Sequence, residues 1–130
     1  MTFLIVEDSR PARNLIKNYI SAGVKTDNKC AFLEAEDGEG ALDILKTKYV
    51  DFVLLDWHLS TEMTGLDLLK KIRSTVGLKN MPVIMITCDS DKANVIEAIK
   101  NGANDFASKP IDPKSFCEKV VKAMSSIKAG

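Results

Sequence analysis

A chain of 130 residues fits one domain, since domains commonly hold about 100–200 residues. With 45% apolar and 28% charged residues it has the make-up of a folded globular protein, which excludes a disordered chain. No stretch approaches the ~18 unbroken apolar residues of a membrane span, and 18 basic against 18 acidic side chains leave no basic excess for nucleic acid.

Phe3-Leu4-Ile5-Val6 has no basic leader and meets Glu7-Asp8 at once, so it reads as a buried strand rather than a secretory signal. Ala12, Leu15, Ile16, Tyr19 and Ile20 then fall at i, i+3, i+4, i+7 and i+8, one face of a helix. Cys30-Ala31-Phe32-Leu33 suits a second strand, shorter or nearer an edge, and Asp37-Gly38 a turn into a helix over Gly40–Lys48. Phe52-Val53-Leu54-Leu55 is a further buried strand, and Gly65 precedes a helix over Leu66–Thr75. Gly77 and the stretch from Asn80 to Pro82 break the chain before a strand at Val83-Ile84-Met85-Ile86. A helix over Lys92–Lys100, a turn at Asn101-Gly102 and a weaker strand at Asn104-Asp105-Phe106-Ala107 follow. Asp112-Pro113 reads as an N-cap with a first-turn proline. It opens a last helix with Phe116, Cys117, Val120, Val121 and Met124 on its apolar side and Lys114, Glu118, Lys119 and Lys122 opposite.

This alternation with short connections and right-handed crossovers predicts a doubly wound, five-stranded parallel sheet. Residues 1–130 read as one domain without repeat, linker or output domain, because the last helix ends near Lys128. Cys30, Cys88 and Cys117 are odd in number and far apart, which suits a reducing cytoplasm better than a disulfide framework. Residues 1–65 carry 7 basic and 11 acidic side chains, and residues 66–130 carry 11 and 7. The acids thus concentrate in the first half.

In such a sheet ligands bind beyond the carboxyl ends of the strands. There the chain offers Glu7-Asp8, Asp56, Thr87-Cys88-Asp89 and Ser108-Lys109-Pro110, with Glu34 through Asp37 further from the centre if the order is 2-1-3-4-5. Carboxylates brought that close repel one another and need a counter-charge. A hard divalent cation such as Mg²⁺ fits an all-oxygen site, and Lys109 adds a second positive charge. A cation, a lysine and the Thr87 hydroxyl around one carboxylate suit phosphoryl transfer, with Asp56 as the nucleophile that becomes an acyl phosphate.

Glu7-Asp8, Asp56 after Phe-Val-Leu-Leu, Gly65, Thr87 after Val-Ile-Met-Ile, and Lys109-Pro110 with Phe106 before it resemble the response-regulator receiver domain of two-component signalling over the full chain, in its stand-alone chemotaxis or relay form. The resemblance implies a flavodoxin-like (βα)5 fold of strand order 2-1-3-4-5. It also implies that Asp56 is phosphorylated by a histidine kinase or phosphotransfer protein. Mg²⁺, or Mn²⁺ in its place, would be held by Asp8, Asp56 and the backbone carbonyl of His58, with Glu7 acting through water. Lys109 would bind a phosphoryl oxygen, and its bond to Pro110 is expected to be cis. Thr87 would turn toward the phosphoryl group and Phe106 inward behind it. The face of the fourth helix, fifth strand and fifth helix would then change its preference for a downstream protein, with the chain itself a monomer.

One departure lies after Asp56. The family places its glycine eight positions on, following a Met-Pro pair, whereas Gly65 is nine positions on and the proline is missing. His58 and Asp89 are candidates for tuning the lifetime of the phosphate, against the plainer reading of His58 as a solvent-facing loop residue. Trp57 is expected beside the metal loop as a fluorescence reporter, and Cys88 as an inert thiol rather than a redox sensor. Taken singly, Glu7-Asp8 could be a helix N-terminal acid pair, Thr87 a turn residue, Lys109 a surface lysine and Phe106 a core aromatic.

Three other functions compete with the switch. A phosphohydrolase built on Asp56 needs a second aspartate two positions on, where His58 stands. A degenerate receiver would bind partners without phosphorylation. A flavin module of the same topology needs a phosphate-cradling loop where Glu7-Asp8-Ser9-Arg10 stands.

Overall fold

The computed structural model describes residues 1–25, 30–59, 62–87 and 92–129. Among these residues ten elements alternate: β1 (Thr2–Val6), α1 (Arg10–Gly23), β2 (Ala31–Ala35), α2 (Gly38–Thr47), β3 (Phe52–Asp56), α3 (Gly65–Ser74), β4 (Val83–Thr87), α4 (Lys92–Lys100), β5 (Asp105–Ser108) and α5 (Pro113–Ala129). The strands are parallel in the order β2-β1-β3-β4-β5, as anticipated.

The unbroken apolar runs are strands covered on both sides. Every residue of β3 and β4 is buried, while the edge strands β2 and β5 are partly open. Alternate side chains enter opposite layers, as strand geometry demands. Phe3, Ile5, Phe52, Leu54, Ile84 and Ile86 pack with Ile16 and Ile20 of α1 and with Phe116 and Val120 of α5. Leu4, Val6, Val53, Leu55, Val83 and Met85 pack with Ala41 and Leu45 of α2, with Leu68 and Ile72 of α3 and with Ala98 of α4.

Local chemistry sets the helix starts. The Ser9 and Asp37 side chains accept from the backbone N–H groups of Ala12 and Gly40, and Thr64 with Asp67 forms a reciprocal capping box. Asp112 accepts from the Ser115 N–H at 3.1 Å, just ahead of Pro113. At the amino ends of the strands Arg73 of α3 donates to the carbonyls of Met81 and Gly102 and to the Asn104 side chain. Gly102 makes room for that clasp, with φ of +99°, and a Cβ there would meet the arginine side chain at 2.7 Å.

Three expectations need correction. β2 lies one to two residues later than its apolar run and takes in Glu34, whose side chain is held by Arg13 and Lys17. The inward face of α1 runs through Arg13, Ile16 and Ile20, while Leu15, assigned to that face, is exposed. Val121 of α5 is likewise exposed. A paired arginine turns α1 by part of a turn from the orientation that apolar spacing alone gives it.

Candidate functional site

The carboxyl ends of the strands bring Glu7, Asp56 and Lys109 together for a reason visible in the pleat. Glu7 continues the side of β1 that carries Phe3 and Ile5, Asp56 the side of β3 with Phe52 and Leu54, and Lys109 the side of β5 with Ala107. Val6 stands beside Leu55 in the register, so the next residues, Glu7 and Asp56, come adjacent. Backbone bonds extend the ladders past the strand ends, from the N–H groups of Glu7 to Ala35, Trp57 to Ile86 and Lys109 to Thr87.

The Lys109 ammonium donates to Glu7 Oε1 at 2.5 Å and to Asp56 Oδ2 at 2.9 Å. Glu7 and Asp56 are nearly sealed, at 2% and 4% exposure. Buried carboxylates persist only with partners. The other Asp56 oxygen accepts from the His58 backbone N–H at 3.0 Å, and Glu7 Oε2 from the Ser9 N–H at 3.3 Å. Burial works against the Lys109 charge, but the bonds to Glu7 and Asp56 outweigh it and push the ammonium up to about 12. It stays charged throughout the neutral range.

One ammonium does not balance the acids. Asp8 is exposed beside Glu7, and among the described residues ligand oxygens of Glu7, Asp8 and Asp56 lie within 4.8 Å of one another. A hydrogen bond to Glu7, then desolvation and the Glu7 charge, hold the Asp8 carboxyl above the usual aspartate range. Three carboxylates against one lysine leave an excess negative charge in an all-oxygen donor set, which fits a hard divalent cation such as Mg²⁺.

The same excess burdens the metal-free fold. A carboxyl that titrates higher folded than unfolded loses stability as pH rises through that window, so at neutral pH ionised Asp8 opposes folding. Asp8→Asn is therefore expected to raise Tm in EDTA and to abolish the rise in Tm that Mg²⁺ brings to the unsubstituted chain. Thermal melts of both proteins with and without Mg²⁺ check this; a lower Tm for the variant in EDTA would count against it.

Thr87 closes β4 and is buried, and the Lys109–Pro110 peptide bond is cis, as anticipated. His58 is exposed and Trp57 half-buried against the α2–α3 side of the core. The Gly65 N–H donates to the Trp57 carbonyl at 2.9 Å, closing the lengthened loop, part of which lies outside the described residues. Cys88 and Asp89 also lie outside them. Phe106 is half-buried on β5, with Lys119 of α5 donating to its carbonyl at 2.7 Å and its ammonium 4.7 Å above the ring. That contact and the buried Arg13 were both missed from the sequence. For Arg13 the signal is present, because it precedes Ile16 by three residues and Ile20 by seven.

Known proteins are similar to this chain in sequence and fold. The response regulator receiver domain family matches residues 3–121. The chemotaxis protein CheY homolog of Campylobacter jejuni is 40% identical over 121 residues, covering 92% of this chain and 89% of the relative. Chemotaxis protein CheY1 of Helicobacter pylori is 42% identical over 121 residues, covering 92% and 94%. A crystal structure of a putative response regulator from Chloroflexus aurantiacus superposes with a TM-score of 0.86 at 25% identity, over 95% of this chain and 97% of that one. From the strand order, the carboxyl-end acids and these likenesses together, the chain belongs to the response regulator receiver domain family and is CheY-like.

Proposed function

We propose that the chain is a phosphorylation-controlled switch, with Asp56 as phosphoacceptor. The observation that carries this reading is the Asp56 carboxylate itself, sealed at the end of β3, with an ammonium 2.9 Å from one oxygen and two more acids close by. In the reaction an Asp56 oxygen attacks the phosphorus of a phosphohistidine on a kinase or phosphotransfer protein. The P–N bond breaks as the P–O bond forms, and the imidazole leaves with its electron pair and takes up a proton. Asp8, Asp56 and the His58 carbonyl would hold Mg²⁺ (or Mn²⁺), with Glu7 acting through water, and the cation would supply charge to offset that of the phosphoryl oxygens. Lys109 neutralises a second oxygen and Thr87 donates a hydrogen bond to the group.

The readout is assigned to the α4–β5–α5 face. Phe106 and Lys119 meet there, and Ile96 and Ile99 of α4 stand exposed on the same helix. The relatives from Campylobacter and Helicobacter are named as chemotaxis proteins, which favours that pathway and a cytoplasmic setting. Among the described residues no helix is long and apolar enough to cross a membrane. His58, exposed two positions after the acceptor, and Asp89 are assigned to setting the lifetime of the phosphate.

The purified chain, given Mg²⁺ and acetyl phosphate, is expected to gain one phosphoryl group by intact mass. The adduct should be absent with EDTA and absent in Asp56→Asn, and its decay should change in His58→Ala. No adduct, together with no Trp57 fluorescence response to beryllofluoride, would overturn the switch in favour of a phosphorylation-independent binding module.

A further inference from the structure

Arg13 is 7% exposed, and a guanidinium so placed is tolerated only when it is well paired. It is paired in a way that reaches the site. Its Nε donates to Glu34 Oε1 on β2 at 2.9 Å and its Nη1 to the backbone carbonyl of Glu7 at 2.6 Å, while Nη2 lies 4.0 Å from Glu36. Lys17, one helical turn on, holds the other Glu34 oxygen at 3.1 Å, so the carboxylate that orients the arginine is itself held. The carbonyl that Arg13 grips belongs to the peptide group joining Glu7 to Asp8. A planar fork fixed at two points sets the plane of that peptide, and with it the directions in which both acids leave the backbone.

We infer that Arg13 is a positioning residue for the divalent cation: through the Glu7 carbonyl it aims the Glu7–Asp8 pair at Asp56, although its own hydrogen bonds go to Glu34 and that carbonyl and to none of the three clustered carboxylates. The inference rests on reading the acid cluster as a Mg²⁺ site. Partners one shell away from a metal typically change its affinity about 10–100-fold when removed. The opposite end of the sheet supplies a comparison, because the Arg73 side chain makes four hydrogen bonds there, against two for Arg13, and none of them approaches the acids.

Mg²⁺ titrations followed by Trp57 fluorescence, and independently by the rise in Tm, separate positioning from general support. Arg13→Ala is expected to move the Mg²⁺ midpoint up about tenfold, Arg13→Lys by less, and Arg73→Ala hardly at all although it lowers Tm. A midpoint for Arg13→Ala within about twofold of the unsubstituted chain would overturn the inference, as would an equal shift in Arg73→Ala, which would mean a softened fold. If Arg13→Ala does not fold, Glu34→Gln, which removes the carboxylate that orients Arg13, is held to the same criteria. An unsubstituted chain silent to Mg²⁺ in both readouts would instead overturn the reading of the site, and this inference with it.

Discussion

Lys109→Ala is expected to slow phosphoryl acceptance from acetyl phosphate by about 10²–10³-fold, the usual cost of losing one pre-placed donor to a developing oxyanion. The loss reaches the resting protein too. Glu7 and Asp56 each give up the ammonium they share, and both are nearly sealed from water. Breaking a buried ion pair costs roughly 3–5 kcal/mol, and about 3 kcal/mol is expected because Lys109 is 27% exposed. Mg²⁺ should recover most of that stability by placing another positive charge among the same oxygens. The ammonium is held at about 12, above its unfolded value, so its contribution persists from neutral pH and is lost only as pH rises through that value. Stopped acceptance assays and melts with and without Mg²⁺ give the answer; an unchanged rate would remove Lys109 from the mechanism.

The second large effect is expected at Gly65, the first residue of α3. A Cβ there would lie 2.1 Å from the Asp56 carbonyl oxygen and 2.8 Å from Trp57 Cα, both of them backbone atoms that cannot swing aside. Gly65→Ala must push the start of α3 away from the end of β3, which costs about 3 kcal/mol as overpacking and lowers Tm by roughly 10 °C in a domain of this size. A displacement of even 1 Å at Asp56 is worth on the order of 10²-fold in rate. Two other glycines calibrate the result. At Gly38 the obstacle is the Met63 side chain, which has other rotamers, and at Gly77 nothing lies within 4 Å, so alanine meets only the strain of φ +87°. Gly77→Ala should cost about 1–2 kcal/mol and leave acceptance untouched. A Gly65→Ala protein that melts with the unsubstituted chain would refute the steric account.

The central strands were legible because β1, β3 and β4 are unbroken apolar runs, and runs of that kind have one home in an α/β sheet. Once their ends were placed, the acids and Lys109 followed from the rule that ligands collect there. The edge strand β2 slipped because Glu34 looks like the residue after a strand, whereas its carboxylate is needed inside one to meet Arg13. Apolar periodicity counts Leu15 as inward and an arginine as outward, and it has no means of seeing a carboxylate and a carbonyl waiting on the sheet for that arginine. The resting pairing of Lys109 with Glu7 was hidden for a similar reason. Sequence reasoning sends Lys109 to a phosphoryl oxygen and does not see a carboxylate 102 positions earlier within its reach.

The cluster is also assembled late in the life of the chain. Lys109 stands 102 positions after Glu7 and 53 after Asp56. At a synthesis rate of ~5–20 residues/s, about 3–10 s separate the making of Asp56 from the making of its counter-ion. A nascent chain thus holds its acids unbalanced until the last strand emerges, and charge as well as apolar contact draws β5 to the open edge of β4.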